Sequence, residues 1–489
     1  MLTSSPPHAE TPAEPQRDSI PADICILGAG PGGLALAAAA AAYGQSVVLI
    51  EKHKMGGTSL NYGSMPAKAL LASAERAQAF RTAAPFGIAS FEPTIDRIVI
   101  EAQIREIVET GVPNASVERM TGLGVRVIQA AGRFIDPKTI AAGEHKIAAR
   151  RFVIATGSSP LVPAIPGLND VAYFTTETVF AQRGAIDHLI VIGGGAAGVE
   201  IAQAHRRLGA RVTILDQASV LQRFDPELSA VVRARLAAEG VVIMEGVKVE
   251  SAESANGRVR LDVMSAGTRK KIEGSHLMIA CGRSPAIAGI GLEAAKIKTS
   301  DNGIKVNSIL RTSNRRVFAI GDVTGLPHST HRAEYHAGLL VKTLLFRQAA
   351  RVEPHLIPAS IHTDPEFATV GLSESEARAS HSAIQVFRWP VLENARALAN
   401  RATAGHIKVI ADKRGRILGA ALVCRSAGEL VQVWALAISR QMTLDDMSGW
   451  IAPFPSLGDI NRKAATLPSM ASVGHAVSRR WVKLLAKLG

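Results

Sequence analysis

The sequence predicts an α/β fold with two separate parallel-sheet domains, and three observations carry that expectation. The first is a strand that runs into a glycine-rich turn and a helix: Ile24-Cys25-Ile26-Leu27, then Gly28-Ala29-Gly30-Pro31-Gly32-Gly33. The second is the recurrence of that device, with Leu189-Ile190-Val191-Ile192 leading into Gly193-Gly194-Gly195-Ala196-Ala197-Gly198. The third is the spacing. In both copies the next strand ends in an acid at the same distance from the first glycine, 28 to 51 and 193 to 216.

Each element has a physical reason. A strand running into G-x-G-x-x-G is the phosphate-cradling turn of a Rossmann-like domain. Gly28 permits the tight turn, Gly30 lets the backbone approach a pyrophosphate, and Gly33 lets the helix pack on the strand. The helix N-terminus then faces the diphosphate charge. Ser46-Val47-Val48-Leu49-Ile50 ends in Glu51, whose carboxylate accepts ribose hydroxyls. Gly193, Gly195 and Gly198 repeat the cradle, and Arg211-Val212-Thr213-Ile214-Leu215 ends in Asp216. Asp216 repels a 2′-phosphate and accepts from a free 2′-hydroxyl, so the second site is expected to prefer NADH to NADPH. Arg223 lies nearby and softens that preference.

Composition bounds the rest. At 489 residues the chain should divide into two to four domains. Its hydrophobic share of 47% and charged share of 20% suit a globular protein. No apolar run approaches the roughly 18 residues of a membrane span. The longest, Leu34 to Ala42, is alanine-rich and reads as a tightly packed helix. Residues 1–20, rich in Pro, Ser and Glu, read as a disordered tail rather than a signal peptide. Cys25, Cys281 and Cys424 are far apart in apolar, strand-like stretches, so buried inert thiols and a reducing cytoplasm are expected. The net charge of +13 is spread along the chain without a basic run or aromatic interleaving, which disfavours nucleic-acid binding. Anionic cofactors, and an anionic membrane surface, account for it more simply.

The segment Gly56-Gly57-Thr58-Ser59-Leu60-Asn61-Tyr62-Gly63-Ser64-Met65-Pro66-Ala67-Lys68 resembles the redox-disulfide helix of the pyridine nucleotide–disulfide oxidoreductases. The likeness extends over nearly the whole chain beyond the tail. Ile154-Ala155-Thr156-Gly157 and Ile279-Ala280-Cys281-Gly282-Arg283 resemble the crossover strands flanking the family's NAD domain. Val317-Phe318-Ala319-Ile320-Gly321-Asp322 resembles its second FAD motif, with Asp322 implied to bind the ribityl chain. Thr330-His331-Arg332-Ala333 opens a helix whose N-terminus is implied to face the flavin. Thr363-Asp364-Pro365-Glu366 with Val370-Gly371 is similar to the start of the C-terminal interface domain. Thr330–Ala333 and Ala452-Pro453-Phe454-Pro455 make the mercuric reductase-like branch the nearest. NADPH-specific relatives carry arginines where this chain has Asp216 and Gln222.

The resemblance implies FAD and NADH as cofactors, and cofactor contacts at Thr58, Lys68, Thr156, Gly157, Gly282, Asp322 and Thr330 beside the glycines and acids above. It implies that Lys68 supports the flavin, with Glu200 as its ion-pair partner; a plain buried ion pair is the alternative. It also exposes a departure. Ser59 and Ser64 stand where the family carries its Cys-x4-Cys pair, and a hydroxyl has no redox couple comparable to a thiol's. The family's acid-base His is replaced by Phe454, which cannot carry a proton, although Asp459 can stand for the Glu. The serines are either natural or introduced; Met65 and Ala67 favour natural drift.

Two amphipathic stretches remain. Ile95, Ile98, Ile104, Ile107 and Val108 are expected to pack into a core. Val477, Trp481, Leu484, Leu485 and Leu488 share one face of a C-terminal helix, with Arg479, Arg480, Lys483 and Lys487 around the other. Docking on the protein's own surface or its dimer mate is the favoured outcome, and a membrane interface the other.

The expected architecture is a disordered tail over 1–20, an FAD domain over 21–158 and 285–350, and an NAD domain over 159–284. An α+β dimerisation domain over 351–474 and a basic amphipathic helix over 475–489 follow. The expected activity passes a hydride from NADH to FAD and on to a small acceptor, such as a quinone, near Ser59 and Ser64, in a cytoplasmic homodimer, with a membrane-peripheral location as the alternative. The alternatives are a redox-silent FAD-binding interaction protein and an engineered Cys-to-Ser form of a mercuric or disulfide reductase.

Overall fold

The computed structural model describes residues 19–473 and 476–487. Two compact units divide the chain. One comprises the residues up to Gly57, Val112–Ser158 and Pro285–Val352; the other comprises Thr58–Gly111, Ser159–Ser284 and the residues from Glu353 onward.

The first unit is built on a seven-stranded sheet. Ile20–Leu27 lies between Val47–Glu51 and His145–Ile154, parallel to both, and Val125–Gln129 extends the sheet beyond Val47–Glu51. The far half of His145–Ile154 also pairs in parallel with Val317–Ala319, while its near half joins the antiparallel flap Gly132–Asp136 and Thr139–Ala142. Ile26, Leu49 and Ile154 are fully buried, as expected for strands covered on both faces. The alanine-rich stretch is the helix Pro31–Ala42. Small residues let it pack closely: a Cβ on Gly32 would lie 2.8 Å from the Ala333 carbonyl oxygen of the helix Thr330–Leu344.

The second unit repeats the parallel device in a five-stranded sheet, ordered Val241–Met244, Arg211–Leu215, His188–Ile192, His276–Ile279 and Phe174–Thr175. A three-stranded antiparallel sheet over Val247–Gly274 follows. Its C-terminal part is a five-stranded antiparallel sheet, from Ala359–Ile361 to Ile417–Cys424 in sequence, carrying the helices Ala427–Ser439 and Asp459–Val473. The buried Trp434 indole donates to Asn461 Oδ1 at 2.8 Å, and the Asn461 amide donates to Leu430 O at 3.1 Å, tying the two helices together.

Several expectations are corrected. Residues 57–68 do not form one helix: a short helix Gly57–Asn61 stops before a second, Ser64–Arg81, begins. Gly63 at the break has φ −128° and ψ −92°, outside the helical region. In the helix Arg97–Gly111, Ile104 is buried but Ile98 is exposed, because the helix turns it away from the core. Cys281 lies beyond the end of its strand at Ile279 and is only partly buried. Ile20 opens the first strand, and the rest of the tail expectation, residues 1–18, lies outside the described residues. The C-terminal helix spans Ala476–Leu485, with Trp481, Leu484 and Leu485 exposed in the single chain. Leu488 and the side chains of Val477 and Arg479 lie outside what is described. No helix among the described residues is long and apolar enough to cross a membrane.

Candidate functional site

The two glycine turns have the same geometry. Gly28 and Gly193 both sit at φ +109°, and a Cβ on either would strike a carbonyl oxygen of the neighbouring strand end, Ala155 or Ala280. Only glycine suits such a backbone. A Cβ on Gly33 would strike Gly28 O, and one on Gly198 would strike Gly193 O, so these two glycines serve the packing of helix on turn. Gly30 and Gly195 differ: nothing in the protein lies within 4 Å of a Cβ built on either. The space beside them is open, at the N-terminus of a helix, which suits a diphosphate.

That contrast yields a test. Gly195→Val is expected to leave the melting temperature within about 2 °C of the parent, since no protein atom is displaced, and to abolish NADH binding. Gly198→Val is expected to lower the melting temperature markedly. Thermal melts and NADH titrations of the two variants check this.

The acids close each cradle alike. Glu51 accepts from Ala29 N at 2.7 Å and His53 N at 2.8 Å; Asp216 accepts from Gly194 N at 2.7 Å and Ala218 N at 2.8 Å. Each carboxylate oxygen keeps a lone pair for a ribose hydroxyl. Gln222 and Arg223 are exposed. The partly buried Cys281 thiol, held up at about 11 by burial and by the Asp216 charge, is not a thiolate at neutral pH.

Within the first unit, Asp322 lies in the single turn Gly321–Thr324 and accepts from Ser158 Oγ at 2.6 Å. The Thr156 hydroxyl is used locally, donating to Ala286 O at 2.8 Å, and Gly157 at φ +72° faces open space. Thr330 is the first residue of its helix, which Ser329 caps by accepting from Arg332 N. Two buried residues, to which the sequence reading assigned no role, brace the Asp322 turn. Arg332 donates to Gly325 O, to Pro327 O at 3.0 Å and to Thr324 Oγ1 at 3.0 Å, and His336 Nδ1 accepts from Gly321 N at 3.2 Å. A cation in the first turn of a helix opposes the helix dipole, and that misfit was the available signal for Arg332.

Burial, with the nearby Arg332 charge, pushes the His336 imidazole down to about 4. Burial, with the charges of Arg97 and His276, pushes His205 down to about 3. Both rings are neutral in the folded state, whereas the unfolded chain protonates near the ordinary value of about 6.5. Their contribution to stability is therefore present in full above pH 6.5 and is lost progressively as the pH falls toward 4. Urea midpoints measured across that window should fall, and His336→Gln should flatten the fall.

Within the second unit, Lys68 Nζ donates to Glu200 Oε2 at 2.7 Å. The other carboxylate oxygen, Glu200 Oε1, accepts from His362 N at 2.7 Å, so Glu200 is held at both ends. The Lys68 side chain is 41% exposed and that of Glu200 only 8%. Lys68 is thus an anchored ammonium presented at a surface. Ser59 is partly buried in the short helix, and Ser64 is exposed at the start of the next. Beside them, Thr58 Oγ1 donates to Glu177 at 3.4 Å, and Arg283 donates to the same carboxylate oxygen at 2.6 Å. Glu177 also escaped the sequence reading, which took Arg283 only as the end of a crossover strand. Gly282, at φ +109°, faces open space. Phe454 is 82% exposed, and Asp459 is paired with Arg462.

Comparison with known proteins agrees with this geometry. The family described as pyridine nucleotide-disulphide oxidoreductase matches residues 22–337, and its dimerisation domain matches residues 357–465. A mercuric reductase of Streptomyces lividans is 32% identical over 457 residues, covering 91% of this chain and 95% of that protein. A dihydrolipoyl dehydrogenase of Thermus scotoductus is 32% identical over 449 residues, covering 91% and 96%. Among solved structures, LpdA from Mycobacterium tuberculosis aligns with a TM-score of 0.84 at 25% identity, covering 91% of this chain and 99% of that one. The HOCl-induced flavoprotein disulfide reductase RclA from Escherichia coli, in its Cu(II) complex, aligns at 0.81 and 26%, covering 91% and 100%. With two glycine cradles, an acid closing each, and matches over both regions, this chain belongs to the pyridine nucleotide-disulphide oxidoreductases, a family of enzymes that use FAD and NAD(P)H.

Proposed function

We propose that the chain is an FAD-dependent NADH:acceptor oxidoreductase that works without a redox disulfide and delivers electrons directly to a small organic acceptor, such as a quinone. The observation that carries the reading is the retention of the Lys68–Glu200 pair, at 2.7 Å, in a segment where both redox cysteines are serines. FAD, when bound, supplies a two-electron centre able to take a hydride from a nicotinamide and return the electrons to an acceptor.

The protein's residues have separable tasks. Gly28, Gly30 and Gly33 with Glu51, and Asp322, would hold FAD, and Thr58, Thr156, Gly157 and Thr330 are further contacts that the family resemblance implies. Gly193, Gly195 and Gly198 with Asp216 hold NADH, and the Asp216 charge disfavours the extra phosphate of NADPH. Lys68 places a cation that stabilises developing negative charge, and Glu200 keeps it in place. Ser59 and Ser64 offer hydroxyls but no thiolate. The three cysteines are all unbridged, and burial holds the Cys25 and Cys424 thiols far above the ordinary range, so they supply no substitute relay. The FAD-binding portion comprises 21–158 and 285–350, the NAD-binding portion 159–284 and the dimerisation portion 351–474. The match to the family's dimerisation domain supports a homodimer. The exposed apolar side chains of the C-terminal helix, with Arg480 and Lys483, suit a peripheral membrane contact.

The test is an anaerobic NADH titration of the FAD-loaded protein, followed in the visible spectrum. Bleaching without a long-wavelength thiolate band, and reoxidation by added quinone, are expected. An oxidised spectrum unchanged by excess NADH would reduce the chain to a cofactor-binding protein. Activity toward Hg(II) or disulfides that appears on changing Ser59 and Ser64 together to Cys would place its ancestry among the metal or thiol reductases.

A further inference from the structure

The basic residues that look scattered in the sequence are gathered by the fold of the first unit. Lys298, Lys305, Arg311 and Arg315 line one cleft of about 350 Å³, together with Val306, Asn307, Thr312 and Ser313. No carboxylate and no aromatic ring lines it. Beside it, the parallel pairing of Val317 with Phe152, and the bond from Phe152 N to Arg316 O at 2.9 Å, bring Arg150-Arg151 alongside Arg315-Arg316. The proximity is felt electrostatically: burial, and then the charges of Arg316, Arg347, Arg150 and Arg311, lower the pKa of Arg151.

Several cations elsewhere in the protein are paired. Arg211 and Arg258 share Asp187, Arg260 bridges Glu253 and Glu273, and Arg388 reaches Glu227. Among the described residues, none of Lys298, Lys305, Arg311, Arg315, Arg316 or Arg347 has a carboxylate partner. Asn307 adds a neutral donor. Its Oδ1 accepts from Ile309 N at 3.2 Å and Arg311 N at 3.0 Å, and the residue is exposed. A cluster of unpaired like charges opposes the compact state through self-repulsion. A multivalent anion bound among them removes that repulsion and satisfies the donors.

The position separates this cleft from the dinucleotide cradle. The strands Ile20–Leu27, His145–Ile154 and Val317–Ala319 run parallel, with Gly28, Thr156 and Asp322 at or beyond their C-terminal ends. Arg150, Arg151 and Arg316 lie toward the opposite ends of the paired segments. From Arg151 to Ala155 is four residues of extended chain, roughly 13 Å. Cofactors of such sheets bind outside the carboxyl ends of the strands, so the basic edge is not part of that site.

We propose that this cleft is a second ligand site, for a small multivalent anion of the phosphate class. It takes either a soluble oligophosphate or phosphate ester, or the phosphate of a lipid headgroup. The shallow depression, with four cations among its lining residues, suits a compact polyanion by charge.

The test uses the full-length, FAD-loaded protein saturated with NAD+, so that both cradles are filled, and titrates it with tripolyphosphate by calorimetry. One site is expected, weakening as salt is raised. The double variant Lys305→Gln/Arg315→Gln should bind at least tenfold more weakly while its NADH KM is unchanged. No heat beyond a sodium chloride control, or undiminished affinity in the double variant, would overturn the proposal. Vesicles of phosphatidylcholine with and without phosphatidylglycerol distinguish the sources. Tripolyphosphate binding without vesicle binding assigns a soluble ligand. Phosphatidylglycerol-dependent sedimentation that tripolyphosphate competes away, and that the double variant loses, assigns a headgroup.

Discussion

Lys68→Met is expected to slow the bleaching of FAD by NADH about 10²- to 10³-fold, the size of effect seen when a preorganised charge-stabilising donor is removed. Lys68 is held at 2.7 Å by Glu200, whose second oxygen accepts from His362 N. The second glycine turn at Gly193–Gly198 and Asp216 is untouched, so the dissociation constant for NADH should change by less than about threefold; a loss confined to the rate is the mark of an interaction made chiefly in the transition state. The half-exposed lysine lets water screen the orphaned Glu200, and the stability cost should stay near 1 kcal/mol. Lys68→Arg should restore part of the rate, because charge survives with altered geometry. Stopped-flow traces under anaerobic conditions decide the matter: a bleaching rate equal to the parent's would make Lys68–Glu200 a structural ion pair and nothing more.

Lys408→Met is expected to cost about 3–5 kcal/mol of stability, the penalty for removing one partner of a buried charge network. The Lys408 side chain is 5% exposed and is ringed by Asp225 at 2.8 Å, Glu227 at 3.2 Å and Glu374 at 2.7 Å. Burial alone would lower its pKa, but the hydrogen bonds it donates to Asp225 and Glu374 outweigh burial and raise it. Without the lysine, three carboxylates face one another beneath the cap of the helix Pro226–Ala238, where Asp225 accepts from Glu227 N and Leu228 N. The deficit depends on pH with a definite sign. Glu227, lowered to about 2 chiefly by its bond from Arg388, contributes stability that is present above the unfolded value of 4.5 and lost as the pH falls through 2. Protonation also relieves the repulsion in the variant. The gap in urea midpoint between parent and variant should therefore be widest near neutrality and narrow below pH 4.5. A gap that stays constant with pH would show that lost packing, rather than lost charge, sets the penalty.

The parts of the protein that could be read from the chain are those whose chemistry is local. A glycine three places before another, bounded by an apolar strand and a helix, specifies its turn within a few residues, and both turns take up φ +109° at their first glycine. The acid at the end of the following strand belongs to the same unit of structure. The opening of a helix at Thr330 follows from the Ser329 cap immediately before it. Where the reading went astray, the deciding contacts were distant. Local pattern made Ile98 a core residue, yet the way its helix lies on its neighbours leaves it exposed. Cys281 looked like part of a strand that ends two residues earlier.

By itself the sequence determined the family, the two glycine-rich turns with their closing acids, and the serines at 59 and 64, because each is written in residue identity at short spacing. Tertiary structure decided which charges meet. It anchored Glu200 at both oxygens, hid Arg332 and His336 beneath the Asp322 turn, and enclosed Lys408 among three acids. It also gathered Lys298, Lys305, Arg311 and Arg315 around one depression that no acid lines. The physical reason is range: backbone turns respond to sterics over a few residues, whereas an ion pair or a charged cleft depends on folding that brings remote parts of the chain within a few ångströms.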